Sequence, residues 1–255
     1  MNDELWFEGT FDLDKQQIVS ATEQNVAETF LKLLLFIQSH HPEKFPAKTN
    51  LHFTHELDFP RTWGLGSSST LIYNMANWAG LDPFILAEYI FGGSGYDIAC
   101  AGASGPIKYK RLSPAPRYKT IDFNPSFAEQ LYFVYLGQKQ NSREGIRSYR
   151  ERCPAEKKPH AIAEVEELNE NILAANSLGD FEESIREHES IIANIIEMPK
   201  VKDLYFSDLA GEAKSLGAWG GDFALLTFQG GLSELKKYCQ PKGMDVVIPF
   251  KEMIL

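Results

Sequence analysis

The sequence predicts an α+β chain in two halves. Two observations carry this. In the first part, glycine- and serine-rich turns alternate with short apolar strands and amphipathic helices. Near residue 125 the pattern changes to one compact strand, long charged helices, and then strand, helix and strand, the order of an α+β unit built on an antiparallel sheet. A chain of 255 residues, 44% of them hydrophobic, can bury one large core or two smaller ones. The change of pattern favours two domains, 1–125 and 126–255.

Taken in order, residues 5–13 alternate loosely and include Trp6, Phe7 and Phe11, as a strand does. Residues 22–39 place Val26, Phe30, Leu33, Leu34 and Ile37 at three- and four-residue steps, the apolar face of a helix. His40, His41 and Pro42 break that helix. A strand is expected over 50–57, a helix over 67–79, a shorter one over 83–91, and strands over 106–111 and 118–123. In the second half, 131–136 reads as a strand, 158–176 and 180–197 as helices, and 203–215 as a further helix. Strands over 223–228 and 245–249 flank a short helix over 232–237. Internal repeats and low-complexity segments are not evident.

The formal net charge of −10 argues against a nucleic-acid partner, which would want a basic face. It does not argue against an anionic small molecule, because backbone amides bind phosphate whatever the global charge. The three cysteines, Cys100, Cys153 and Cys239, are odd in number and widely spaced, which reads as reduced thiols rather than a zinc or redox site. The start is acidic and lacks a signal-peptide core. The longest apolar run, 33–37, is too short to span a bilayer. The expectation is a cytoplasmic protein with a small-molecule substrate and no membrane partner. Its oligomeric state stays open, a homodimer included.

Three small-residue motifs carry the chemistry. The first runs P-R-T-W-G-L-G-S-S-S from Pro60 and continues to Thr70. Gly64, Leu65, Gly66, Ser67, Ser68, Ser69 and Thr70 join a loop to a helix. Glycine permits φ > 0 and close backbone approach, and a helix start offers unpaired N–H groups to phosphate oxygens. It is neither a Walker A loop nor a dinucleotide fingerprint. Alone, it also reads as a turn rich in capping serines. The second motif, G-G-S-G-Y-D-I-A from Gly92 to Ala99, sets Asp97 in a glycine-rich loop, either as an Asx-turn or as a carboxylate aimed at an acceptor hydroxyl. The third, from Lys214 to Leu225, places Gly217, Ala218, Gly220 and Gly221 before a strand, and reads alone as a helix cap and bend.

In this order the three motifs resemble the galactokinase, homoserine kinase, mevalonate kinase and phosphomevalonate kinase (GHMP) superfamily of small-molecule kinases, over about residues 50–255. The resemblance implies a two-lobed GHMP kinase fold: an N-terminal ribosomal-protein-S5-like α/β lobe, incomplete at its start, and a C-terminal ferredoxin-like α+β lobe. It implies ATP and Mg2+ as cofactors, with ATP phosphates on the loop from Gly64 to Thr70. Asp97 in S-G-Y-D would be the catalytic carboxylate. Ser68 and Glu88 would hold the metal, Glu88 with the alternative of a solvated helix-end carboxylate. Gly217, Ala218, Gly220 and Gly221 would close over the active site. The G-G-D ending at Asp222 resembles the phosphomevalonate kinase form. Members open with a glycine–lysine strand; none precedes Leu5, so the chain is expected to begin inside the fold, without its first strands and without that lysine.

The implied activity is phosphorylation of mevalonate or 5-phosphomevalonate for isoprenoid precursors. The alternatives are another GHMP kinase with a sugar or homoserine acceptor, the related diphosphomevalonate decarboxylase, and a non-catalytic ATP-binding protein. Ser94, Gly95, Tyr96, Arg61 and Lys214 are substrate candidates, and residues 138–143 are read as lining a substrate cleft. His52 and His55, three apart on an expected strand, would face opposite ways and make a poor metal pair.

Overall fold

Apolar side chains spaced three and four apart between residues 24 and 98 close around one core, and a run of strand residues after 125 builds a second. The computed structural model describes residues 5–48, 50–113, 115–137, 147, 149, 151, 158–217, 219 and 221–254. Residues 138–143, Cys153, Ala218 and Gly220 lie outside them. The chain divides into two units. The described residues of Met1–Arg61 and Leu65–Ile121 form the first, and those of Thr62–Gly64 and Asp122–Leu255 the second.

In the first unit, β1 (Gly9–Asp12) and β2 (Gln17–Ala21) form an antiparallel hairpin whose register shifts between Thr10 and Phe11. The expected strand over 5–13 is thus confined to its second half. Four helices follow: α1 (Gln24–His40), α2 (Ser67–Ala79), α3 (Pro83–Ile90) and α4 (Tyr96–Ala101). A second hairpin joins β3 (Ile107–Lys110) to β4 (Arg117–Thr120). Leu33, Leu34 and Ile37 of α1 meet Ile72, Met75, Ala76 and Ala79 of α2, Leu86 and Ala87 of α3, and Ile98 of α4. Asp82 starts α3 by accepting the Phe84 N–H at 2.8 Å, with Pro83 at the first helical position, where its missing donor costs nothing.

Residues 50–57 form no strand, contrary to the sequence expectation. Among the described residues no strand pairs with them. Phe53 packs on a helix instead, meeting the Trp78 ring edge-on at 4.9 Å.

The second unit is a ferredoxin-like β-α-β-β-α-β arrangement. Its elements are β5 (Leu131–Tyr135), α5 (Lys158–Ala174), α6 (Leu178–Ile196), α7 (Val201–Tyr205), β6 (Ala213–Ser215), β7 (Phe223–Thr227), α8 (Gly231–Cys239), β8 (Val247–Pro249) and α9 (Phe250–Met253). The sheet order is β6-β7-β5-β8, antiparallel throughout. Leu131 pairs with Thr227 and Tyr135 with Phe223. Side chains alternate across a strand, so Tyr132 and Val134 join Phe206, Leu226 and Leu235, while Leu131 and Phe133 join Phe181, Ile185 and Phe250. Burial on both faces explains why this strand is apolar without interruption.

The expected helix over 203–215 is corrected. Only Val201–Tyr205 is helical, and Ala213–Ser215 is a strand. A side chain on Gly211 would run into the carbonyl oxygen of Thr227. Just beyond it, the Glu212 N–H donates to Thr227 Oγ1 at 2.7 Å and the Thr227 N–H to the Glu212 carbonyl at 3.0 Å. Sheet pairing there outweighs the local helical pattern. No helix among the described residues is long and apolar enough to cross a membrane.

Candidate functional site

The first motif opens α2 without a side-chain cap. Its N-cap is Gly66, in the left-handed region at φ 85°, which has no side chain to accept from the helix start. Ser67, Ser68 and Ser69 are the first three helical residues, whose N–H groups have no partner within a helix. The serines therefore do not cap their own helix, which removes the plainest structural explanation for them. Thr70 is committed internally: its hydroxyl and its N–H both donate to the Gly66 carbonyl, at 3.1 and 3.0 Å. Ser68 is exposed, and a Cβ built on Gly66 would meet nothing within 4 Å. Helix-start amides, the positive end of a 13-residue helix and the serine hydroxyls are groups that phosphate oxygens can accept from.

The second motif shares the first unit's core, through Ile98 of α4 and Leu86 and Ala87 of α3. Gly92, Gly93 and Gly95 all have positive φ, and Gly95 caps α4 at φ 76°. Gly95 has a second reason to lack a side chain, since a Cβ there would press on Phe84 at 3.0 Å. The Tyr109 hydroxyl of β3 donates to the Ser94 carbonyl, and Ser94 Oγ accepts the Tyr96 N–H at 3.3 Å. Tyr96 and Tyr109 meet edge to face at 5.6 Å. Asp97 falls in the first turn of α4 and is exposed as a residue. Neighbouring protein nonetheless displaces part of its carboxyl's water and holds its pKa above the ordinary 3.8.

Glu88 is exposed on α3. Among the described residues no group of three or more His, Cys, Asp or Glu side chains is placed to hold a metal ion. Mg2+ in nucleotide sites typically takes only one or two protein oxygens, the rest coming from phosphates and water. An exposed serine hydroxyl at the start of α2 and a helix-borne carboxylate in the same unit fit that donor set.

In the second unit, Gly217 has φ 68° and Asp222, directly after Gly221, has φ 55°. Asp222 is 8% exposed, and a side chain on Gly64 would run into both of its carboxylate oxygens. Trp63 meets Phe223 edge to face at 5.6 Å and Tyr135 at 6.4 Å, and the Tyr135 hydroxyl donates to the Thr62 carbonyl at 3.0 Å. Asp222 was not among the sequence candidates. Its signal was its place at the end of the glycine run.

Two substrate candidates have protein partners. The Lys214 ammonium, on β6, lies 3.1 Å from His188 Nδ1 and 3.4 Å from Glu189 Oε1, both on α6. Burial pulls Lys214 below the usual lysine range and pushes Glu189 up, while each charge opposes the other's shift. Burial, then the nearby ammonium, push His188 down to about 3. The Arg61 guanidinium lies over the Trp6 ring at 4.4 Å, with Glu23 at 3.9 Å.

No protein-family model and no curated protein matches the chain. Solved structures do. The mevalonate kinase of Methanococcus jannaschii is similar at a TM-score of 0.64 and 15% identity, over 95% of this chain and 86% of that one. The L. major mevalonate kinase, solved in complex with R-mevalonate, is similar at 0.52 and 14%, over 91% and 76%. The chain has the fold of the GHMP-type kinases in its mevalonate-kinase-like form.

Proposed function

We propose that this chain is an ATP-dependent, Mg2+-requiring kinase that phosphorylates a hydroxyl of mevalonate or 5-phosphomevalonate. The observation that carries the reading is the serine-lined, uncapped start of α2 behind the left-handed Gly66. The likeness to mevalonate kinases, one of them solved with R-mevalonate, supports the acceptor class.

The N–H groups of Ser67, Ser68 and Ser69 hold phosphate oxygens of ATP at the positive end of α2. Ser68 and Glu88 would hold the metal, which when bound neutralises charge on the β- and γ-phosphates. Asp97 orients the acceptor hydroxyl and takes its proton. A carboxyl with an elevated pKa suits that work, because proton transfer is most efficient when the base's pKa approaches the working pH.

The test is ADP release with a panel of acceptors: mevalonate, 5-phosphomevalonate, homoserine, sugars and 5-diphosphomevalonate, the last with CO2 measured. Acceptor-dependent ADP release with mevalonate or its 5-phosphate is expected, without CO2. Release only with homoserine or a sugar would move the reading to another kinase of this fold. ATP binding with no phosphorylated product from any acceptor would make it a nucleotide-binding protein.

A further inference from the structure

The third motif does something its glycines do not explain. Asp222 sits in the left-handed region at φ 55°, which a non-glycine residue adopts only under constraint. Its carboxylate is buried, which is costly unless the charge is satisfied. Strain and burial coincide where the carboxylate stands against the backbone of Gly64. The neighbouring residue Phe223 stacks edge-on with Trp63, and Tyr135, the β5 partner of Phe223, donates to the Thr62 carbonyl. A Cβ on Gly217 would lie 3.4 Å from Asp222 Oδ2, so the same carboxylate also bears on the third motif's own turn. Thr62, Trp63 and Gly64 are thereby held by three consecutive interactions to the second unit's sheet and the turn before β7. Gly64 is two residues ahead of Gly66, the N-cap of α2.

We propose that Asp222 is a positioning residue: its carboxylate fixes the Gly64 peptide and so sets the shape in which the loop receives phosphate, with Trp63 as the apolar anchor beside it. This rests on the kinase reading for its functional half and on geometry alone for its structural half. Gly64 lacks a side chain because the carboxylate occupies that space.

The experiment compares wild type with Asp222→Asn, Asp222→Ala and Gly64→Ala. Two readouts are taken on the full chain. The first is hydrogen exchange of the amides of residues 62–67 without nucleotide. The second is ATP affinity with Mg2+, with kcat and KM for ATP and acceptor. In Asp222→Ala, exchange over 62–67 is expected to rise at least tenfold, and KM for ATP at least tenfold, with acceptor KM within twofold. Asp222→Asn, which keeps shape and an accepting oxygen, should recover part of the ATP affinity and secures the comparison if the alanine variant fails to fold. Gly64→Ala should reproduce the ATP defect with Asp222 intact. Unchanged exchange and ATP affinity in both Asp222 variants would overturn the proposal. An equal rise of both KM values would overturn it too, as would loss of activity matching only a drop in Tm. Faster exchange in a protein whose wild type binds no ATP would overturn the kinase reading and the functional half with it.

Discussion

The Lys214 ammonium lies 3.4 Å from the carboxylate of Glu189, a side chain 1% exposed, and the second oxygen of that carboxylate has no hydrogen-bond partner among the described residues. The pair ties β6 at the sheet edge to α6. A lysine written inside a glycine-rich motif is thus employed as a counter-ion to a buried acid.

Removing one partner of such a pair strands the other. Lys214→Met should cost about 3–5 kcal/mol, because Glu189 is left buried and unpaired. Glu189→Leu combined with Lys214→Met should regain most of that loss. Urea unfolding of the two single variants and the double variant measures the coupling; additive losses would show that the two charges do not depend on each other.

Asp97→Asn should lower turnover on the order of 10²- to 10⁴-fold while leaving the fold intact. It should also alter stability in a direction that burial dictates. Asp97 titrates above its unfolded value of 3.8, so the folded state binds the extra proton between the two values. Stability from this group is therefore greatest below the unfolded pKa and is lost as pH rises through the folded one. The asparagine variant should match wild type in Tm at acid pH and exceed it modestly at pH 7. A variant less stable than wild type at pH 7 would contradict the desolvated carboxyl.

Gly66→Ala separates conformation from space. Nothing lies within 4 Å of the added methyl, yet φ is 85°. The expected loss is about 1–2 kcal/mol of stability from the left-handed backbone alone, with weaker ATP binding as the helix start shifts. Gly66→Asn, which tolerates that region better, should lose less of both. Thermal melts and nucleotide titration report the two effects.

Gly211→Ala tests the sheet edge. Its methyl would collide with backbone rather than with a movable side chain, so β6 must shift away from β7. A loss of about 1–3 kcal/mol in urea unfolding is expected, the usual range for overpacking. Faster hydrogen exchange at Glu212 and Thr227 should accompany it.

What could be read in advance follows the locality of each cause. The strand from Leu131 was legible because burial on both faces makes it apolar throughout. Helix α2 was legible because Gly66 and Gly80 bound it at either end. Residues 213–215 were not, since the reason they pair with β7 is the tight approach of Gly211 to Thr227, which has no local signature. The strand over 50–57 failed for a related reason: alternation describes a segment, whereas a strand needs a partner. At the site, glycine- and serine-rich turns announce themselves by composition. Partners of charged side chains do not, so Arg61 went to Trp6 and Lys214 to Glu189. Asp222 is legible only as the end of the glycine run, because Gly64, against which its carboxylate stands, is far away in sequence.

The seating of Trp63 in the second unit has a consequence for how the protein is made. The Thr62 carbonyl and the Tyr135 hydroxyl that binds it are 73 positions apart, and Phe223 is later still. On the ribosome, the tryptophan emerges well before the sheet that receives it. Closing so long a loop carries an entropy cost that only the finished sheet repays. The later-synthesised strands thus complete the seating of a segment that leaves the ribosome before them, and until they fold the indole has no seat.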